Sequence, residues 1–248
     1  MANVYQHIIE SCRRGEKLFA VLIDPEKCNG EGLLSFVEKI NEALPDFVLV
    51  GGSQLTENVE KTVVFIQQHT KVPVVLFPGN IHQFTPKADA ILFLSLISGR
   101  NPDFLIGQQV AVASKLREAQ IEAISTGYIL IDGATESAVT KMSKTQPIDA
   151  ENVDLIVNTA LAGELIGNKL IYLEAGSGAK CPVATETIRK VKSVCQVPII
   201  VGGGICSVEQ LEKAYRAGAD LVVVGNHFEK NPNDLFSFVQ CKRTLLER

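Results

Sequence analysis

VPIIVGGGICSVEQLEKAYRAGADLVVVGN, residues 197–226, holds one complete unit of fold. Its two ends, VPIIVG and LVVVG, are β-rich and almost continuously apolar, as strands are when both faces of a parallel sheet are covered. VEQLEKAYRAGA between them has helical spacing, so the stretch reads strand, glycine turn, helix, strand. A glycine stands wherever a strand gives out.

Runs of the same kind recur at LFAVLI (18–23), FVLVG (47–51), VPVVLF (72–77), AILFLS (90–95), AISTGYILI (123–131) and LIYLE (170–174). Most of the segments between them, such as GLLSFVEKINEAL, ENVEKTVVFIQQH, PDFLIGQQVAVASKLREA, ENVDLIVNTALAGELIG and TETIRKVKSVC, have helical or amphipathic character. Strand and helix alternating about eight times predict a single TIM-type (β/α)8 barrel over residues 1–248, with no interdomain linker. Two places depart from the pattern. PGNIHQFTPKAD is too short and too rich in turn formers to make a regular third helix, and IDGATESAVTKMSKTQPIDA reads as a long polar loop of the kind that often carries function.

Composition narrows the class. Of the 248 residues 46% are hydrophobic and 21% charged, which describes an ordinary globular chain with enough length for one large core. Lys plus Arg number 24 against 28 Asp plus Glu, and aromatic residues make up 6% with no tryptophan. Neither a basic footprint nor a stacking platform for nucleic acid is present. MANVYQHIIESCRRGEK reads as a short amphipathic helix rather than a signal peptide, and no apolar run approaches the roughly 18 residues of a membrane span, so a cytoplasmic protein without stable membrane insertion is expected. The six cysteines lack CxxC or Cys/His spacing, which argues against structural zinc and for reduced thiols.

Active sites of such barrels lie where strands pass into the loops that follow them. GSG (176–178), GGG (202–204) and GN (225–226) fall at successive strand ends. Glycines let backbone amides approach an anion closely, and a phosphate site after the last strands is common in this architecture. One such cluster would be an ordinary tight turn; three in barrel order favour phosphate. In LIYLE the period of two sends Tyr172 and Glu174 one way and Ile171 and Leu173 toward the helices. Glu174 at the mouth beside a phosphate is a candidate general base, the alternative being a carboxylate paired with a rim lysine or arginine. Asp24 ends the first strand and, with the Ser53 hydroxyl, could hold Mg²⁺ against a diphosphate; capping is the competing reading for both. The histidines (His7, His69, His82, His227) have no catalytic context and read as packing or surface residues, His227 being notable for following Gly225-Asn226.

Together, LIDPEK, VGGS, LFPGN, STGYILIDG, YLEAGSGA, PIIVGGGI and ADLVVVGN resemble the geranylgeranylglyceryl phosphate synthase family, which includes the bacterial heptaprenylglyceryl phosphate synthases. The likeness runs from about residue 17 to beyond residue 226, in family order. It implies a Mg²⁺-dependent prenyltransferase that joins sn-glycerol 1-phosphate to a polyprenyl diphosphate through an ether bond, in a homo-oligomer, dimer or hexamer. By that resemblance Asp24 and Ser53 match the metal positions. Tyr172, Leu173, Glu174, Ala175, Gly176, Ser177, Gly178, Gly203, Gly204, Gly225 and Asn226 match the glycerol-phosphate site, with Glu174 as base. The family's missing third helix suits PGNIHQFTPKAD.

An apolar trench for the prenyl tail has candidates in Leu96, Ile97 and Phe104, while Phe93 reads as core packing. STGYILIDGATE is closer to the geranylgeranyl branch, so a C20 donor is expected. The competing functions are the same reaction with heptaprenyl diphosphate, a sugar-phosphate isomerase or epimerase, and a barrel that binds a phospholigand without catalysis.

Overall fold

Eight parallel strands close into a barrel in sequence order in a computed structural model that describes residues 3–52, 59–80 and 83–244. The strands are β1 (Leu18–Ile23), β2 (Phe47–Val50), β3 (Val74–Leu76), β4 (Ala90–Leu96), β5 (Glu122–Leu130), β6 (Leu170–Glu174), β7 (Ile199–Gly202) and β8 (Leu221–Val224). The helices are α1 (Val4–Arg13), α2 (Gly30–Ala43), α3 (Val59–His69), α4 (Gln108–Ala119), α5 (Ala138–Ser143), α6 (Val153–Leu165), α7 (Thr185–Val194), α8 (Val208–Ala217), α9 (Asn226–Lys230) and α10 (Leu235–Thr244).

Local chemistry sets these elements. Ser207 caps α8 by accepting from the Gln210 amide at 3.3 Å, Gly218 ends it at φ 119°, and Leu211, Ala214 and Tyr215 are buried against the barrel. Strand residues split by parity into two cores. Ala20, Leu49, Leu92, Ile124, Leu170, Tyr172 and Val223 fill the interior, whereas Val21, Val48, Ile171, Leu173 and Val222 pack with the helices. Asp46, just before β2, accepts from the Phe19 amide at 2.7 Å and pairs with Lys242 of α10 at 2.6 Å, a largely buried ion pair that fastens the last helix to the barrel.

α1 closes the bottom. Val4 and Ile8 join the interior core, His7 meets the Phe47 ring edge-on, and the Glu122 carboxylate accepts from the Val4 and Tyr5 amides at 2.7 and 3.2 Å.

No regular helix joins β3 to β4 among the described residues. Gln83, 2% exposed, braces this stretch instead. Its Nε2 donates to the Gly52 carbonyl at 2.6 Å and its Oε1 accepts from the Gly79 amide at 2.9 Å, lashing the ends of β2 and β3 together. β3 is short and pairs with β4 only as far as Ile91, so residues 92–96 run on beside β5 without it. Two expectations need correction. The polar segment after β5 contains α5, capped by Ser137 accepting from the Thr140 amide at 3.1 Å, and PDFLIGQQVAVASKLREA divides into a π-helical turn, Asp103–Gly107, followed by α4.

Candidate active site

At the C-terminal ends of the strands opens a cavity of about 410 Å³. Asp24 from the end of β1 and Glu174 from the end of β6 both line it, with Ser177, Gly178, Gly203, Gly204, Gly225 and Asn226. Tyr172 and Glu174 face the interior and Leu173 turns to the helices, as the parity of β6 requires. Leu173 therefore offers the cavity no side chain.

Glu174 is 6% exposed. Burial pushes its carboxyl up to about 7, against the opposing pull of the Gly176 amide, which donates to Oε1 at 2.7 Å, and of the Tyr172 hydroxyl. Neither Lys nor Arg pairs with it among the described residues, which removes the rim ion-pair alternative. An acid that titrates near neutrality is matched to taking a proton from an alcohol. The same burial, with the Glu174 charge adding to it, holds the Tyr172 and Tyr128 hydroxyls well above the ordinary tyrosine range, so both remain proton donors.

Gly203 fits the backbone against this carboxylate. Its φ is +80°, and a β-carbon there would overlap Glu174 Oε1 and lie 2.7 Å from the Gly176 nitrogen. The Gly176 amide is spent on Glu174, but the amides of Ser177, Gly178, Gly203 and Gly204 have no acceptor among the described residues. Four such donors beside one cavity suit an anionic oxygen cluster. Ser177 Oγ and the Asn226 side chain hydrogen-bond at 3.0 to 3.2 Å, tying the β6 and β8 loops around that cradle. Ala175 donates its amide to the Gly202 carbonyl at 3.1 Å and serves the scaffold.

Asp24 does not cap α2, whose N-cap is Asn29. Its Oδ1 accepts from the Glu26 amide at 3.1 Å, and its Oδ2 lies 3.6 Å from Lys27 Nζ, which also pairs with Glu229 at 3.1 Å. Gly52 packs flush against the carboxylate, where a β-carbon would sit 2.8 Å from Oδ1. Ser53 and His82 lie outside the described residues. His227 lines the cavity but is pinned by Asp234 at 2.8 Å and by the Phe228 and Phe238 rings; His7 and His69 likewise pack on aromatic rings.

From the reactive end the cavity passes through the barrel wall. Leu92 and Leu94 of the interior face and Ile91 and Phe93 of the helical face all line it, which is possible because β3 stops short of residues 92–96. Phe104 and Leu96 are there as expected. Phe93 contributes to the wall as well as to packing, and Ile97 instead faces Gly127 and Gly163 beneath α6. Sequence reasoning missed Gln83, Gln109, Val112, Val139 and Met142.

A model described as the PcrB family matches residues 11–242. The chain belongs to the PcrB family. Within reach of this PcrB-family chain is the geranylgeranylglyceryl phosphate synthase of Flavobacterium johnsoniae, 50% identical over 232 residues that cover 93% of this chain and 96% of the relative. The protein of the same name from Korarchaeum cryptofilum is 36% identical over 238 residues, covering 95% and 98%. Among solved structures, (S)-3-O-geranylgeranylglyceryl phosphate synthase from Thermoplasma acidophilum, in complex with its substrate sn-glycerol-1-phosphate, superposes with a TM-score of 0.90 at 30% identity, over 98% of this chain and all of that one. The PcrB barrel is thus shared nearly end to end.

Proposed function

We propose that this chain is a prenyltransferase that joins the 3-hydroxyl of sn-glycerol 1-phosphate to C1 of geranylgeranyl diphosphate, forming an ether and releasing diphosphate. One observation carries the reading: a buried carboxyl titrating at about 7 shares a cavity with four unpartnered amides, and that cavity continues as an apolar arm. The amides of Ser177, Gly178, Gly203 and Gly204 take the phosphate, fixing the acceptor so that its free hydroxyl reaches Glu174. As the new C–O bond forms, the hydroxyl proton passes to Glu174 and the bond from C1 to the diphosphate breaks. Tyr172 holds the carboxylate in line through its hydroxyl. Apolar lining along Phe93, Phe104 and Val112 seats the prenyl tail and excludes water from the reacting carbon.

Asp24 suits a magnesium ion of the kind held chiefly by its ligand. Mg²⁺ usually takes one or two carboxylates and completes its shell with substrate phosphates and water. The described residues contain no group of three or more metal-ligating side chains, so Asp24 would be the protein's share, joined by Ser53. Such an ion, when bound, neutralises charge on the departing diphosphate. No helix among the described residues is long and apolar enough to cross a membrane. Exposed Leu165 and Ile166 at the end of α6 support self-association of the chain.

Purified protein incubated with labelled sn-glycerol 1-phosphate, magnesium and geranylgeranyl diphosphate should form the prenyl ether. Failure with this and with heptaprenyl diphosphate would overturn the assignment.

A further inference from the structure

The apolar arm contains one buried polar atom left without a partner. Gln109, on the first turn of α4 and 6% exposed, donates through Nε2 to the Leu94 carbonyl, while its Oε1 is buried with no hydrogen-bond partner among the described residues. The arrangement follows from the wall. Because β3 stops pairing at Ile91, the β4 backbone beyond that point lacks a neighbour on that side, and the Gln109 amide stands in for one at Leu94. A π-helical turn, a form concentrated at functional sites, directly precedes α4.

Gln109 stands partway along the arm. α4 follows β4 and runs back alongside it, so Phe104 lies toward the reactive end, Gln109 next, and Val112 with Ile91 farther in. Resting on the prenyl-donor reading above, we propose that Gln109 is a specificity-determining residue that gauges the length of the donor's tail. With the arm empty or filled only as far as Phe104, a water molecule has room to donate to Oε1. A tail that descends past Gln109 toward Val112 expels that water and brings hydrocarbon against an acceptor that it cannot satisfy. The penalty for an unmet buried acceptor is roughly a 5- to 150-fold factor in equilibrium, set against the gain from burying additional methylene groups. The wild-type arm therefore favours tails that end above Gln109 relative to an arm of the same shape without the polar atom.

Met and Glu have nearly the length of Gln and change chiefly its polarity, so they separate this role from a steric one. The experiment measures kcat/KM for farnesyl, geranylgeranyl and heptaprenyl diphosphates at saturating sn-glycerol 1-phosphate in wild type, Gln109→Met and Gln109→Glu, with melting temperatures recorded alongside. The heptaprenyl-to-farnesyl ratio should rise at least about fivefold in Gln109→Met and fall below wild type in Gln109→Glu. A merely structural role would lower all donors together with the melting temperature. Ratios within about twofold of wild type in whichever variants fold would overturn the proposal. Ether formation by wild type with any of the three donors tests the underlying reading separately.

Discussion

Replacing Glu174 by glutamine should stop ether formation and at the same time make the fold more stable in mild alkali. The carboxyl is buried, and its folded value of about 7 stands above the ordinary value of 4.5, so the native state binds its proton more tightly than the unfolded chain does. The stability that Glu174 contributes is complete below about pH 4.5 and is lost as pH rises through about 7. At pH 8 the native state carries a buried anion whose cost, at 1.36 kcal/mol per unit of displacement, is about 3 kcal/mol. Glutamine keeps the shape and an oxygen to accept from Gly176 but never ionises. Over a chain of 248 residues that difference corresponds to about 6 °C in melting temperature. Differential scanning calorimetry at pH 5 and pH 8 reads it directly: the variant should exceed wild type at pH 8 and converge with it at pH 5. The companion measurement is the pH profile of kcat/KM, in which wild type should show a limb near 7. An equal melting difference at both pH values, or turnover surviving in the variant, would refute the reasoning.

Gly203→Ala places a methyl group against Glu174 Oε1 and holds a β-carbon at φ +80°, a strain of about 1–2 kcal/mol before any overlap; calorimetric binding of sn-glycerol 1-phosphate should weaken at least about tenfold, and an unchanged Kd would free the β7 loop from the cradle. Lys242→Met strands the Asp46 carboxylate beneath α10 and should cost about 3–5 kcal/mol in urea unfolding, whereas a loss below about 1 kcal/mol would mean that water reaches the pair. For Asp24→Asn, the magnesium concentration giving half-maximal turnover should rise along with the KM for the prenyl diphosphate. An unaltered metal titration would remove Asp24 as a ligand.

Strands β1 and β6 were legible to the residue, since LFAVLI and LIYLE are apolar runs bounded by charge or turn formers. The inward aim of Glu174 was legible too, because a strand's parity admits only two answers and Tyr172 shares its face. What escaped depends on distance through space. Gln83 lies in a turn-rich segment with no periodicity, and its value comes from reaching Gly52 and Gly79. Gln109 did leave a signal, for Gln109, Val112 and Leu116 share one buried face of α4, and an amide in that stripe was the anomaly to question. α5 is short and rich in Ser and Thr, which disguised it as loop although Ser137 is a capping residue. That Gly176 gives its amide to Glu174 rather than to a phosphate depends on a 2.7 Å approach that no pattern of glycines encodes.

The small helix at the start of the chain makes the molecule a cup rather than a pipe. Val4 and Tyr5 hang from Glu122, a residue 118 positions downstream of Val4, so this stopper is seated only once the middle of the chain has folded around it. With the floor sealed, everything the enzyme takes in or gives up must use the rim or the breach beside β4. A product longer than either reactant has to be drawn out head first through the same doorway by which its two halves arrived.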